Sequence, residues 1–469
     1  MREQGMCNPG TSFATAALLK SVRCIPAMFR GHARRSRGAI AALLLLAPLL
    51  STMALAQTTT VSGTVYDPRT TASALPLPNV LVYLTTGSVA PLASGAQCLT
   101  ASSSSPAGAV SFTNTAVDGT FTLANVPTNA SYTLVIQAGK WRRQFAVQVA
   151  DTPLVGLALH MPSNHTQGDI PMIAIATGSV DALECVLRDM GISDSEFTDD
   201  NDTTNGGRIH LYKGGKSPGA AINASTPSET ALMGTATDST LLNSYDVVMF
   251  PCQANAYAQP TTALANLLNY ANAGGRVFAT HYSFDRLDPN SPYDSQFPPV
   301  AAWVKDTSFA NTAYPATIDT SFTDGATLAQ WLKNAGASTT FGQIQLSTVR
   351  NDLSSVIAPT QSWATLNTNS DIMQITFNTP VGAAAANQCG RVLFNEYHVM
   401  NLSGGGMVFP AECPSSTEAM NAQEEMLEYA LFDLSTFVTP VVVPTVSIAF
   451  NPSPLIVKQG DRPIRSRSM

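Results

Sequence analysis

Apolar positions along the chain follow two different patterns. Between residues 57 and 155 they fall in short runs with turns between them and no helical period: VSGTV at 61–65, VLVYL at 80–84, YTLVIQ at 132–137 and FAVQV at 145–149. Such spacing predicts an all-β sandwich. Asp118-Gly119, between Thr115-Ala116-Val117 and Phe121-Thr122-Leu123, carries the signal for a tight hairpin. From Asp169 the runs become continuous and alternate with amphipathic stretches. PMIAIA at 171–176, YDVVMFP at 245–251, RVFAT at 276–280, DIMQITF at 371–377 and RVLFNEY at 391–397 read as buried strands. Helices are expected near 180–190, 261–273 (closed by Gly274-Gly275) and 417–434. Strands alternating with helices predict a mostly parallel α/β sheet covered on both faces. The chain therefore divides into a sandwich over 57–155, a linker over 156–168 and an α/β domain over 169–436. Residues 285–325, rich in Pro, Asp, Ser and Tyr, read as a surface insertion, and 437–469 as a Pro-rich linker with the start of a further β-domain. The abrupt basic ending RPIRSRSM suggests truncation or a frameshift there.

The first 56 residues stand outside this pattern. GAIAALLLLAPLLSTMALA at 38–56 follows Arg30, Arg34, Arg35 and Arg37 and closes on Ala54-Leu55-Ala56. A basic region, an apolar run and an A-x-A site predict a secretory signal peptide cut before Gln57, and hence a periplasmic or extracellular protein. Pro48 and the cleavage site interrupt the run short of the roughly 20 residues a span needs, so no integral membrane span is expected after cleavage. A start at Met28 would give a more ordinary basic region, so an over-extended start is also expected.

Composition sharpens this reading. Only 12% of the 469 residues are charged, about half of the roughly 25% usual for soluble proteins. Past residue 56 there are 18 Lys and Arg against 31 Asp and Glu. An acidic surface of that kind excludes nucleic acid as a partner, since phosphate binding needs Lys- and Arg-rich faces. Five cysteines follow the signal segment: Cys98, Cys185, Cys252, Cys389 and Cys413. Export permits disulfides, and an odd count leaves one thiol over. The expected pairs are Cys389 with Cys413 and Cys185 with Cys252.

Two stretches resemble known families. VSGTVYDP, LPNVLVYL and TAVDGTFTLANVPTNASYTLVIQ resemble a carboxypeptidase regulatory-like domain, a prealbumin-like sandwich related to the CnaB and carbohydrate-binding-like folds. That resemblance implies a spacer or a module binding a glycan or cell-surface ligand, not a peptidase, and no H-x-x-E occurs. AGGRVFATHYSFDRL at 273–287 resembles the strand–elbow–helix of the class I glutamine amidotransferase-like fold, in its ThuA-like branch. The resemblance implies a flavodoxin-like α/β domain. Where that family carries its nucleophilic Cys on a strained elbow, this chain has His281, so amidotransferase chemistry is not implied. RVLFNEYHV at 391–399 falls where the family carries its His and Glu.

In open α/β sheets, ligands bind beyond the carboxyl ends of the strands. The chemistry-bearing residues expected there are Cys252, His281, Asp285, Glu396 and His398. Glu396 and His398 are two apart and so share a face if the strand continues. His281, Glu396 and His398, with Asp285 as an orienting carboxylate, are expected to converge. Two His and a carboxylate suit zinc or another first-row divalent ion, and the alternative is a hydrogen-bond network without metal. Cys252 reads either as a nucleophile beside a His or as a disulfide-bonded or inert buried thiol. The run DSEFTDDND at 194–202 lacks the Gly and Glu of a calcium loop and is expected to be a solvated loop. Trp141-Arg142-Arg143 reads as a sugar-stacking site or as an edge-strand aromatic flanked by charge. Two functional classes follow: a non-enzymatic exported binding protein, which the missing nucleophile favours, and a hydrolase acting on a carbohydrate or small molecule.

Overall fold

The computed structural model describes residues 57–98, 106–202, 204–304, 312–400, 405–414 and 419–435. The expected signal peptide, its cleavage site and the chain after 435 lie outside the described residues. Eight strands come first: β1 (Thr58–Tyr66), β2 (Leu81–Thr85), β3 (Ala109–Asn114), β4 (Thr120–Pro127), β5 (Ala130–Ala138), β6 (Trp141–Val149), β7 (Leu154–His160) and β8 (Gly168–Asp169). They form a three-stranded sheet in the order β4-β1-β7 and a five-stranded sheet in the order β3-β2-β5-β6-β8. Alternation does what the sequence implies. Val61 and Val65 of β1, Phe121 and Leu123 of β4, Val82 and Leu84 of β2, and Leu134 and Ile136 of β5 all enter one core.

Three expectations for this half change. The Asp118-Gly119 turn is tight, with Gly119 at φ +73, but it does not close a hairpin. The strand before it pairs with β2 and the strand after it with β1, so the turn passes from one sheet to the other. A Cβ on Gly119 would lie 2.7 Å from the Pro76 Cβ and 2.8 Å from the Val65 carbonyl oxygen, so only Gly fits the crossing. The stretch 156–168, expected as a linker, supplies most of β7, which pairs in parallel with β1. Trp141 is 2% exposed and packs 5.5 Å from the Phe432 ring. It is a core residue, and no sugar can stack on it.

The second half runs β9 (Ile173–Thr177), α1 (Leu183–Asp189), β10 (Phe197–Thr198), β11 (Ile209–Lys213), α2 (Glu229–Met233), α3 (Thr240–Asn243), β12 (Val247–Phe250), α4 (Thr261–Asn272) and β13 (Arg276–Thr280). It continues with β14 (Ala301–Trp303), β15 (Tyr314–Ile318), α5 (Thr323–Ala335), β16 (Gln343–Leu346), β17 (Leu353–Val356), β18 (Gln361–Leu366), β19 (Ile372–Thr379), β20 (Gly390–Asn395) and α6 (Ala422–Ser435). Ten strands form one sheet in the order β10-β11-β9-β12-β13-β20-β19-β18-β15-β16. From β10 to β20 every neighbouring pair is parallel, and from β20 to β16 every pair is antiparallel.

The parallel strands are apolar throughout because both faces are covered. Ile173, Ile175, Met249, Phe278 and Leu393 pack on one side with α1, α5 and α6. Ala174, Ala176, Val248, Phe250, Val277, Ala279 and Phe394 pack on the other with α4. Helix α6 meets β16 and β20 of this sheet and also β5 of the sandwich. The Trp331 indole N–H donates to the Pro76 carbonyl, and Arg69 pairs with Glu428 at 2.9 Å. Sandwich and α/β sheet thus share one core across α5 and α6.

The region 285–325 is not a simple surface insertion. Leu287, Phe297, Val300 and Ala301 enter the core, and β15 joins the large sheet. The acidic run at 194–202 is solvated at Asp194, Ser195 and Asn201, but its middle is built in. Buried Glu196 accepts from the His165 and Arg208 amides, and buried Asp199 accepts from Asn223 and Thr226. The disulfides are Cys98–Cys389 and Cys185–Cys413, and Cys252 is free. Both expected pairs are therefore corrected: Cys252 faces His281, and Cys389, just before β20, is met by Cys98, whose segment runs against Gly274. Among the described residues no helix is long and apolar enough to cross a membrane.

Candidate functional site

Four parallel strands deliver their ends to one edge of the sheet. β9 leads into Gly178, β12 into Pro251-Cys252, β13 into His281, and β20 into Glu396-Tyr397-His398. Backbones are close here: a Cβ on Gly178 would lie 2.2 Å from the Cys252 carbonyl oxygen. The Thr280 hydroxyl accepts from the Cys252 amide at 3.0 Å and donates to Asp181 Oδ2 at 2.8 Å. Asp181 also accepts from the Met400 amide at 2.9 Å. This one carboxyl therefore ties together the loops after β9, β13 and β20. Burial raises its pKa to about 7 against those hydrogen bonds.

His281 is the first residue past β13 and takes φ +42, a left-handed conformation that a non-glycine residue holds only when its surroundings impose it. The strain falls at the turn directly after β13. Its Nδ1 lies 3.1 Å from Cys252 Sγ, its Nε2 lies 3.5 Å from Asp352 Oδ2, and its ring is 5.0 Å from that of His398. His398 Nδ1 lies 3.8 Å from Asp181 Oδ2. Neither ring nitrogen of His398 has a hydrogen-bond partner among the described residues. Cys252, His281 and His398 are each 1% exposed, and Asp181 and Asp352 are fully buried.

Burial sets the charge of this cluster. It lowers His281 to about 2, helped by His398 and Arg350, and lowers His398 to about 3, helped by Arg350. It pushes the Cys252 thiol up to about 12, with Asp181 adding to the effect. At neutral pH the group holds a thiol and two neutral imidazoles. A thiol that donates to His281 Nδ1 leaves the ring proton on Nε2, on the side of Asp352.

Of the residues expected here, His281 and His398 come together, and Cys252 joins them. Glu396 and His398 lie past the end of β20 rather than on it. Glu396 Oε1 accepts from the Asp352 amide at 3.1 Å, so it helps position Asp352. Asp285 does not orient His281. Its carboxyl accepts from the Tyr257 amide at 2.9 Å and from Arg286 at 2.7 Å. Arg286 also pairs with Glu229 and lies 4.6 Å over the Phe250 ring, forming a separate buried cluster. The carboxylates beside the two His are Asp352 and Asp181, which sequence reasoning missed. Asp181 was findable in principle, three residues past the Gly178 turn at a strand end; Asp352 had no local signal.

A cleft of about 350 Å³ opens beside His398. Asp189, Ser347, Asn421, Gln423 and Glu424 line it with carboxylate, hydroxyl and amide groups. Gln423 accepts from the Ser347 amide at 2.6 Å and donates to the His398 carbonyl at 2.8 Å, tying α6 to the wall of the cleft.

No protein-family model matches the chain, and no curated protein matches it. Among solved structures, a ThuA-like protein from Bacteroides uniformis is 8% identical, with 55% of this chain and 89% of that one covered and a TM-score of 0.31. A ThuA-like protein from Parabacteroides merdae is 12% identical over 58% of this chain and 93% of that one, with a TM-score of 0.30. A cytoplasmic protein from Salmonella typhimurium is 10% identical over 56% of this chain and 99% of that one, with a TM-score of 0.30.

Proposed function

We propose that the chain is an exported, non-enzymatic binding protein that takes a carbohydrate or similar polyhydroxylated ligand of the cell surface. In this reading the signal peptide is cut near Ala56. The sandwich is a carboxypeptidase regulatory-like spacer, and the α/β half is a flavodoxin-like, degenerate amidotransferase module of the ThuA-like type. The observation that carries the reading is the polar cleft beside His398, whose hydroxyl, amide and carboxylate groups suit a ligand rich in hydroxyls. The absence of a nucleophile from the elbow, where His281 stands, supports binding over group transfer.

The second reading, a hydrolase, is favoured by one observation: Cys252, His281 and Asp352 stand in line at 3.1 and 3.5 Å, the order of a thiol, a base and its orienting carboxylate. One comparison tests the two. The mature chain beginning at Gln57 is applied to an array of neutral and acidic glycans beside Ala419→Trp, a substitution at an exposed position lining the cleft. Saturable binding to one glycan class, lost in Ala419→Trp, is expected. Binding that Ala419→Trp leaves unchanged, or none across the array, contradicts the reading. Turnover of chromogenic esters or glycosides that disappears in Cys252→Ser would favour the hydrolase instead.

A further inference from the structure

We propose that Cys252, His281 and His398 form a site for a thiophilic divalent metal ion with the preferences of zinc, its two imidazoles lying beside the buried carboxyls of Asp352 and Asp181. One ligand atom from each of the three residues lies within 4.8 Å of the others. Around a tetrahedral ion with bonds of about 2.3 Å to sulfur and about 2.0–2.1 Å to nitrogen, ligand atoms stand roughly 3.3–3.6 Å apart. The cluster thus needs adjustments of side-chain size only, including a slight opening of the 3.1 Å Cys252–His281 contact. The residues come from the ends of β12, β13 and β20, so the framework that holds them is the centre of the sheet.

Two further features point to an ion rather than to inert packing. The first is His398. It is 1% exposed, yet neither ring nitrogen has a hydrogen-bond partner among the described residues. A buried polar group left in that state is costly, and a metal bond is one way of satisfying it. The second is the position of the carboxylates. A metal-ligating His characteristically presents its other nitrogen to a carboxylate, which fixes the tautomer and the ring orientation. Here His281 offers Nδ1 to the cluster with Nε2 3.5 Å from Asp352, and His398 Nδ1 lies 3.8 Å from Asp181; metal binding is expected to draw both contacts into hydrogen bonds, with His398 Nε2 on the ion. Asp181 is itself held by Thr280 and the Met400 amide.

The ligand set selects the metal. One thiolate and two imidazoles suit zinc or cobalt, whereas magnesium and calcium prefer oxygen. Binding converts the Cys252 thiol to a metal-bound thiolate and releases its proton to solvent. The other cysteine-containing group, Cys185, Glu412 and Cys413, has both sulfurs committed to a disulfide and offers no comparable site.

The proposal does not depend on the carbohydrate reading, and its test separates the two. The mature chain is stripped with chelator and titrated with Co²⁺, read as a thiolate-to-cobalt charge-transfer band in the near ultraviolet. The expected result is a band saturating at one Co²⁺ per chain and bleached by one equivalent of Zn²⁺. It should be absent in Cys252→Ser, and Asp352→Asn should weaken affinity by about 10- to 100-fold. Circular dichroism establishes that each variant is folded. Should Cys252→Ser not fold, an upward shift of wild-type Tm on adding Zn²⁺ supports the site, and no shift overturns it. No band in the wild type at excess Co²⁺, or a band persisting in folded Cys252→Ser, also overturns it. Glycan binding without a cobalt band would remove the metal site alone.

Discussion

Replacing Phe432 by Ala tests whether sandwich and α/β sheet are one cooperative body. Phe432 lies on α6, is 6% exposed, and meets Trp141 of the sandwich with ring centroids 5.5 Å apart. A buried Phe removes about 150–250 Å² from water, worth roughly 4–6 kcal/mol at about 25 cal/mol per Å². Measured Phe→Ala losses of about 3–5 kcal/mol are the safer guide, because the site relaxes in part. The expected loss is therefore about 3–5 kcal/mol. Urea unfolding of the mature chain, followed by circular dichroism and by tryptophan fluorescence, should show one transition at a lower midpoint by both probes. A double-mutant cycle with Trp141→Ala should return a coupling of about 0.5–1.5 kcal/mol for the ring pair beyond its area. Two separate transitions, with the sandwich transition unmoved by Phe432→Ala, would refute the shared core.

Other outcomes follow from particular residues. Glu184 is fully buried, and desolvation raises its carboxyl from 4.5 to about 8. The folded state then holds a proton that the unfolded state gives up, so its contribution is complete below pH 4.5 and lost as pH rises through about 8. Thermal melts across that window should show Glu184→Gln gaining on the wild type as pH rises, and parallel curves would contradict the assignment. Gly178→Ala sets a Cβ against the Cys252 carbonyl and should cost about 1–3 kcal/mol in a denaturation curve; an unchanged midpoint would show that the strand ends are not so close. Thiol titration of the non-reduced mature chain should find one reactive cysteine in denaturant and almost none in the native state, because Cys252 is free and 1% exposed. Three reactive thiols in denaturant would mean that a disulfide is absent.

The parallel centre of the sheet was readable because both its faces are buried, so β12 and β13 appear as unbroken apolar runs bounded by polar turns. RVFAT at 276–280 coincides with β13, and α4 ends where Gly274-Gly275 ends the pattern. The antiparallel side was not readable. β16, β17 and β18 are QIQL, LSSV and QSWATL, with exposed or half-buried polar positions that give little contrast to the surrounding chain. Helix α5 was passed over, although Leu328, Leu332 and the left-handed Gly336 mark its face and its end. In the site, His281 and His398 could be named from strand ends. Asp352 could not, because it reaches His281 from the loop between β16 and β17 across 71 residues of sequence. In the acidic run at 194–202 the ends are exposed as expected, but composition reports charge and not partners, so the burial of Glu196 against His165 and Arg208 had no signal.

In the proposed function the cleft beside His398 binds a polyhydroxylated ligand and does not cleave it. The most direct measurement is an isotherm for a glycan selected on the array, with the ligand then recovered from the same cell and its mass determined. The expected result is saturable binding by the wild type, loss in Ala419→Trp, and ligand recovered intact. Recovery of cleaved ligand from the wild type, but not from Cys252→Ser, would contradict it.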